Sequence, residues 1–277
     1  MDNEIVRRIE QRLKNPDRLM IQKIKETGWT HNIPLSESDS TCGIGSETMS
    51  KDMRVQALTQ NIPLFLGNDF HAIKVLDLGS FEGGISFEMA RLGMDVVGIE
   101  GRESNYLRSK WIEEYFDLPN LRFIHDDINR IGRHLGAFRL VLCCGVLYHL
   151  DNPFGFLEKI YGILERPGML FLDTHYAPSE DMLGACTFKE NLSPIESFRD
   201  EGHIYYGRWY REEPEHPWAA LSNETSFWPV HGSLIEGLFH AGFNRVYELY
   251  GSSGYPIEEE NDIRQKLSRS FFIAMKQ

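Results

Sequence analysis

The stretch Val75-Leu76-Asp77-Leu78-Gly79-Ser80-Phe81-Glu82-Gly83-Gly84 constrains this chain more than any other. A short apolar run leads into a glycine-rich turn and then into the helix-like segment Ile85 to Leu92, the order in which a nucleotide site begins. Glycine is needed there because the backbone must turn sharply and pass close to a ligand, and only a residue without Cβ tolerates both. A dinucleotide fingerprint requires Gly-x-Gly-x-x-Gly after the strand. Here the glycines fall at 79, 83 and 84, which disfavours a dehydrogenase. About twenty residues on, Val96-Val97-Gly98-Ile99-Glu100 ends a second strand in a carboxylate suited to ribose hydroxyls, which either kind of nucleotide site uses.

The 277 residues can bury the core of one large α/β domain carrying an insertion. Lys and Arg number 29 against 41 Asp and Glu, a net charge of −12, so the average surface repels phosphate backbones and disfavours nucleic acid. Cys42, Cys143, Cys144 and Cys186 show no metal-ligand spacing, and the Cys143-Cys144 pair lies in an apolar strand, as suits buried reduced thiols. The N-terminus has no apolar signal core. The most apolar run, Leu140 to Leu150, is much shorter than a membrane span, so a cytoplasmic protein without membrane contact is expected.

Residues 1–26 read as helix, with Ile5, Ile9 and Leu13 at four-residue spacing, a break at Asn15-Pro16, and a restart through Leu19, Met20 and Ile24. Gly28 to Leu35 alternates large and polar residues and predicts a strand or hairpin, followed by a Ser/Asp/Gly-rich loop over 36–46. Together with a helix over 53–66, residues 1–69 form an N-terminal extension, read either as a lid over the cofactor or as ordinary packing. From 70 the chain alternates strand and helix through strands at 96–99, 121–124, 140–144 and 169–172, which predicts a doubly wound, mostly parallel sheet. Asn152-Pro153 is a cap followed by a first-turn proline and starts a helix just after the fourth strand. Residues 177–228 break the pattern and are rich in rings, including Tyr205-Tyr206-Gly207-Arg208-Trp209-Tyr210 and Pro217-Trp218; they read as an inserted substrate lid. Ser233-x-x-Glu236 reads as a capping box, and the acidic run Glu258-Glu259-Glu260 separates two closing strands that suggest an antiparallel hairpin.

Asp77-x-Gly79-x-Phe81-x-Gly83 resembles motif I of the class I S-adenosylmethionine-dependent methyltransferases, with Phe81 standing where the middle glycine usually sits. Seven strands ending in an antiparallel hairpin are similar to that family's core, over residues 70–277. A narrower likeness lies in Gly98-Ile-Glu-Gly-Arg102, Gly145-Val-Leu-Tyr-His-Leu150, Asp173-Thr-His175, Gly207-Arg-Trp-Tyr-Arg211 and Ser226-Phe-Trp-Pro229. These resemble a bacterial subfamily distantly similar to tRNA wobble-uridine carboxymethyltransferases.

The resemblance implies S-adenosylmethionine as cofactor. It places Asp77, Gly79, Ser80, Phe81 and Gly83 in the cofactor loop, Glu100 and Gly101 at the ribose, Asp126 or Asp127 at the adenine amine with Ile128 beside the ring, and Cys144 at the end of the fourth strand. Phe81 either stacks near the cofactor or wedges the loop against the first helix. Tyr148, His149 and His175 are the candidates for proton transfer, His149 foremost, because they follow strands whose carboxyl ends face a ligand. Tyr206, Trp209 and Trp228, with Trp29 and His31 from the extension, are expected to bind the acceptor. Three donors, Asp173, His175 and His149, on two loops are a weak metal signal, and no metal is expected. Three functions stay open: methyl transfer to an O or N nucleophile of a small molecule, tRNA methylation or carboxymethylation, and cofactor binding without catalysis.

Overall fold

The computed structural model describes residues 4–42, 46–213, 215, 218–250 and 268–277. The acidic run Glu258-Glu259-Glu260 and Pro217 lie outside them. The chain divides into two compact units, Met1–Arg130 and Ile131–Gln277.

In the first unit, helices α1 (Glu4–Lys14) and α2 (Arg18–Lys25) flank the break at Asn15-Pro16. Ile5, Ile9, Ile21 and Ile24 are buried, but Leu19 is 81% exposed. The second helix thus buries the stripe through Ile21 and Ile24 rather than the one through Leu19 and Met20, because its register is set by the Asp17 cap, whose side chain accepts from Met20 N. Of the strand or hairpin expected at Gly28 to Leu35, an antiparallel bridge between Pro34 and Ser40 forms, flanked by Leu35 N donating to Asp39 O and Thr41 N to Ile33 O, but no regular strand. Three of this segment's N–H groups go to side chains instead of a ladder: Thr30 N and His31 N donate to Glu82 Oε2, and Ile33 N to Thr41 Oγ1. Helix α3 (Met53–Leu66), strand β1 (Lys74–Leu78), helix α4 (Gly84–Arg91), strand β2 (Asp95–Glu100), helix α5 (Glu103–Phe116) and strand β3 (Leu121–His125) follow. The three strands pair in parallel, β1 with β2 and β2 with β3.

In the second unit, β4 (Phe138–Cys144) pairs in parallel with β5 (Leu164–His175). Helix α6 (Pro153–Ile163) begins as its sequence requires, Asn152 Oδ1 accepting from Gly155 N at 2.9 Å. Lys276 closes the other end of α6 by donating to the carbonyls of Tyr161 and Leu164.

Residues 177–228 hold a separate antiparallel sheet of β6 (Glu196–Asp200), β7 (His203–Arg211) and β8 (Thr225–Pro229). Helix α7 (His231–His240) leads to β9 (Arg245–Leu249), and β10 (Arg269–Lys276) lies antiparallel between β5 and β9. The capping box expected at Ser233 is not used. The helix starts three residues earlier, with Val230 as cap, and Ser233 Oγ instead accepts from Tyr206 N. The strands run in the order β3-β2-β1-β4-β5-β10-β9, a seven-stranded, mostly parallel α/β sheet. No helix among the described residues is long and apolar enough to cross a membrane.

Candidate functional site

In the first unit the glycine turn is held from two sides. Gly79, Phe81 and Gly83 have φ of 65°, 54° and 81°. Phe81 is thus held in the left-handed region, where a side chain costs on the order of 1–2 kcal/mol. Glu100 fixes this shape: its Oε2 accepts from Phe81 N at 2.9 Å and its Oε1 from Arg102 N at 2.7 Å. Burial pushes the Glu100 pKa up, and these N–H groups oppose the shift. Gly98 is required by packing, since a Cβ there would strike the Phe123 ring and Ser80. Asp77 is buried under the turn and accepts from Ser86 Oγ at 2.6 Å; burial raises its pKa to about 6.

His31 and Phe81 meet edge to face at 5.2 Å, so Phe81 wedges the turn against the N-terminal segment. The His31 ring is occupied structurally, its Nδ1 accepting from Gly84 N, and Trp29 Nε1 donates to Ile24 O. Gly101 O faces His125 Nε2 at 3.1 Å. Asp126 pairs with Arg130, whereas Asp127 Oδ1 caps the short turn at Ile128 by accepting from Asn129 N. The Ser80 hydroxyl is buried and has no hydrogen-bond partner among the described residues.

In the second unit, Tyr148, His149, His175 and Trp228 are brought together. Tyr148 lies against His149 at 4.3 Å and His175 at 4.5 Å, and His175 stacks on Trp228 at 4.9 Å with planes 9° apart. Strand β8 and the chain just before it grip the loop carrying Tyr148 and His149. Trp228 Nε1 donates to Tyr148 O, Asn223 Nδ2 to His149 O, and Phe227 N to Leu150 O, all within 3.0 Å. Cys144, at the end of β4, is buried.

Strand alternation explains which rings join this group. Arg208 pairs with Trp228 and Tyr210 with Ser226, so these four share a face, and Tyr210 stacks on Trp228 at 4.8 Å. Trp209 faces the other way and packs with Phe198 against Phe154, Tyr205 and Phe227. Tyr206 shares the Trp228 face but is 53% exposed. Neither Tyr206 nor Trp209 is therefore gathered with His149.

Asp173 is bound bidentately by Arg269, at 2.7 and 2.5 Å, and is not placed as a metal ligand. Among the described residues no group of three or more His, Cys, Asp or Glu could hold a metal ion.

Glu212 was missed by sequence reasoning. Its Oε1 and Oε2 lie 3.0 and 3.2 Å from His149 Nδ1, across 63 positions of sequence. The same carboxylate accepts from Ser226 Oγ at 2.7 Å and Ala220 N at 3.0 Å. Burial raises its pKa, but the hydrogen bond and charge of His149, with the bonds from Ala220 and Ser226, outweigh that and hold it below the ordinary glutamate range. The only sequence signal was parity: Glu212 continues the alternation of Arg208 and Tyr210 beyond the end of β7.

The chain matches the family described as methyltransferase domain over residues 69–214. It is 33% identical over 122 residues to a tRNA U34 carboxymethyltransferase of Desulforapulum autotrophicum, covering 43% of this chain and 36% of that protein. It is also 33% identical over 103 residues to a ubiquinone biosynthesis O-methyltransferase of Psychrobacter cryohalolentis, covering 36% of this chain and 40% of that protein. The chain thus spans less than half the length of these relatives. Among solved structures, the N-terminal domain of EvdMO1, crystallised in the presence of SAH and D-fucose, has a TM-score of 0.69 at 24% identity, covering 94% of this chain and 97% of that one. That likeness extends the class I methyltransferase fold to nearly the whole chain. By its family match over more than half its length, the chain belongs to the methyltransferase-domain family.

Proposed function

We propose that the protein is a cytoplasmic S-adenosylmethionine-dependent methyltransferase acting on an oxygen or nitrogen nucleophile of a small molecule. The observation that carries the cofactor is the turn at 79–83, shaped by the Glu100 carboxylate around a buried Ser80 hydroxyl with no partner among the described residues. These groups fit an adenosylmethionine: Glu100 accepts from the ribose hydroxyls, Ser80 and Gly79 meet the methionine end, and Asp127 receives the adenine amine beside Ile128. Asp126 is the weaker adenine candidate because it is paired with Arg130. When bound, the cofactor supplies a methyl group activated on a sulfonium and is left as S-adenosylhomocysteine.

The chain's own work is to align the acceptor, exclude water and take its proton. His149 takes the proton, and Tyr148, held edge-on against the stacked rings of His175 and Trp228, supplies an aromatic surface suited to an uncharged or cationic acceptor. The O-methyltransferase relative supports a small acceptor, and so does the net charge of −12, which opposes a polyanion. The tRNA U34 relative supports the second reading, tRNA modification. Calorimetry with S-adenosylmethionine, S-adenosylhomocysteine and NAD tests the cofactor: the first two should bind, and NAD binding alone would overturn the proposal.

A further inference from the structure

The inserted sheet does more than cover a site. Of the hydrogen bonds that fix the Tyr148–Leu150 carbonyls, each donor, Trp228, Asn223 or Phe227, comes from β8 or the turn before it. The carboxylate facing the His149 ring, Glu212, follows β7, and its backbone is tied to the β8 side by Glu212 N donating to Glu224 O at 2.9 Å. Glu212 is 5% exposed, so an unmatched charge there would be costly; it is matched by three donors, His149 Nδ1, Ser226 Oγ and Ala220 N. An ionised carboxylate only accepts hydrogen bonds, so a neutral His149 facing it carries its proton on Nδ1.

Resting on the reading of His149 as the proton acceptor, we propose that Glu212 is its positioning residue, holding the imidazole as the Nδ1–H tautomer so that the Nε2 lone pair is the basic site. The consequence is a substrate class. A base at Nε2 serves an acceptor that still carries its proton, an alcohol or phenol, and is superfluous for a carboxylate. In the transfer the acceptor oxygen forms the new C–O bond, the methyl–sulfur bond breaks with its electron pair left on sulfur, and the hydroxyl proton passes to Nε2. The imidazolium so formed faces the Glu212 carboxylate.

The test uses the full chain labelled with ¹⁵N-histidine, without ligand, at pH 8. Long-range ¹H–¹⁵N spectra report which ring nitrogen carries the proton, and the His149 signals are identified by their loss in His149→Gln. Wild type should show Nδ1–H; Glu212→Gln should shift His149 toward the Nε2–H tautomer; Ser226→Ala, which removes a different donor from the same carboxylate, should leave it unchanged. An Nε2–H wild type, or a tautomer indifferent to Glu212→Gln, would overturn the proposal whatever the turnover. With methyl transfer as a second readout, Glu212→Gln should lower kcat at least about tenfold with KM for S-adenosylmethionine unchanged, and should add nothing to His149→Gln. Independent losses that multiply would mean that Glu212 does not act through His149. An active His149→Gln would instead defeat the underlying reading of His149 and leave the tautomer result standing.

Discussion

His31 Nδ1 accepts the backbone N–H of Gly84, the first residue of helix α4, at 3.0 Å, so a histidine from the N-terminal segment caps the helix that follows the glycine turn. Only a neutral imidazole can accept here. Burial, with a smaller push from Arg54, lowers its pKa to about 3. The unfolded chain therefore binds the extra proton first, and stability falls as pH drops below the ordinary histidine value. The loss is about 2 kcal/mol by pH 5. His31→Gln keeps an acceptor and removes the titration, so urea melts at pH 7 and pH 5 should show a smaller loss in the variant. Equal losses would mean that His31 is not a buried neutral cap.

Asp77 acts with the opposite sign. Burial lifts its pKa from 3.8 to about 6 against the bond from Ser86, so the folded chain holds the proton more tightly and stability declines as pH rises through that window. Above pH 6 the ionised group costs about 3 kcal/mol at most. Asp77→Asn should therefore melt higher than wild type at pH 8 and about the same at pH 4. A lower melting temperature at pH 8 would show that the charge is compensated.

Glu100→Ala should weaken S-adenosylmethionine binding by about 1.5–3 kcal/mol, the scale of a charge-assisted hydrogen bond. It also leaves Phe81 N and Arg102 N without their acceptor, so the melting temperature should fall in parallel. Calorimetry on folded variant decides the first part; an unchanged affinity removes Glu100 from the ribose.

The two faces of the inserted sheet should separate stability from turnover. Trp209→Ala empties a place beside Phe198 and Phe227 and should cost about 2–4 kcal/mol of stability with little change in kcat at low temperature. Trp228→Phe keeps a ring against His175 but loses the bond to Tyr148 O, and should lower kcat while cofactor affinity holds. Tyr206→Ala, at an exposed position, should shift stability by no more than about 0.5 kcal/mol. A collapse of turnover in Trp209→Ala alone would reverse the assignment of faces.

Local signals carried much of the fold. The glycine turn, the Asn152-Pro153 start, the strand-helix alternation and the closing antiparallel strand each depend on neighbours in sequence, and each is present. Failures occurred where a side chain was recruited from a distance. Glu82 takes the N–H groups that a strand at Gly28 to Leu35 would have laddered, and Tyr206 N takes the Ser233 hydroxyl that a capping box would have used. In the candidate site, His149, His175, Tyr148 and Trp228 were each named from sequence and are in contact. Glu212 was invisible because nothing in the sequence marks a contact across 63 positions.

The activity proposed for this protein is methyl transfer from S-adenosylmethionine to a hydroxyl of a small molecule. Incubation of the protein with methyl-labelled donor and a cell extract, separated afterwards into small-molecule and RNA fractions and treated with alkali, tests it most directly. Label should enter the small-molecule fraction, be stable to alkali as a methyl ether is, and be lost in His149→Gln. Label in the RNA fraction alone, or label released by alkali as methanol from a methyl ester, would contradict it.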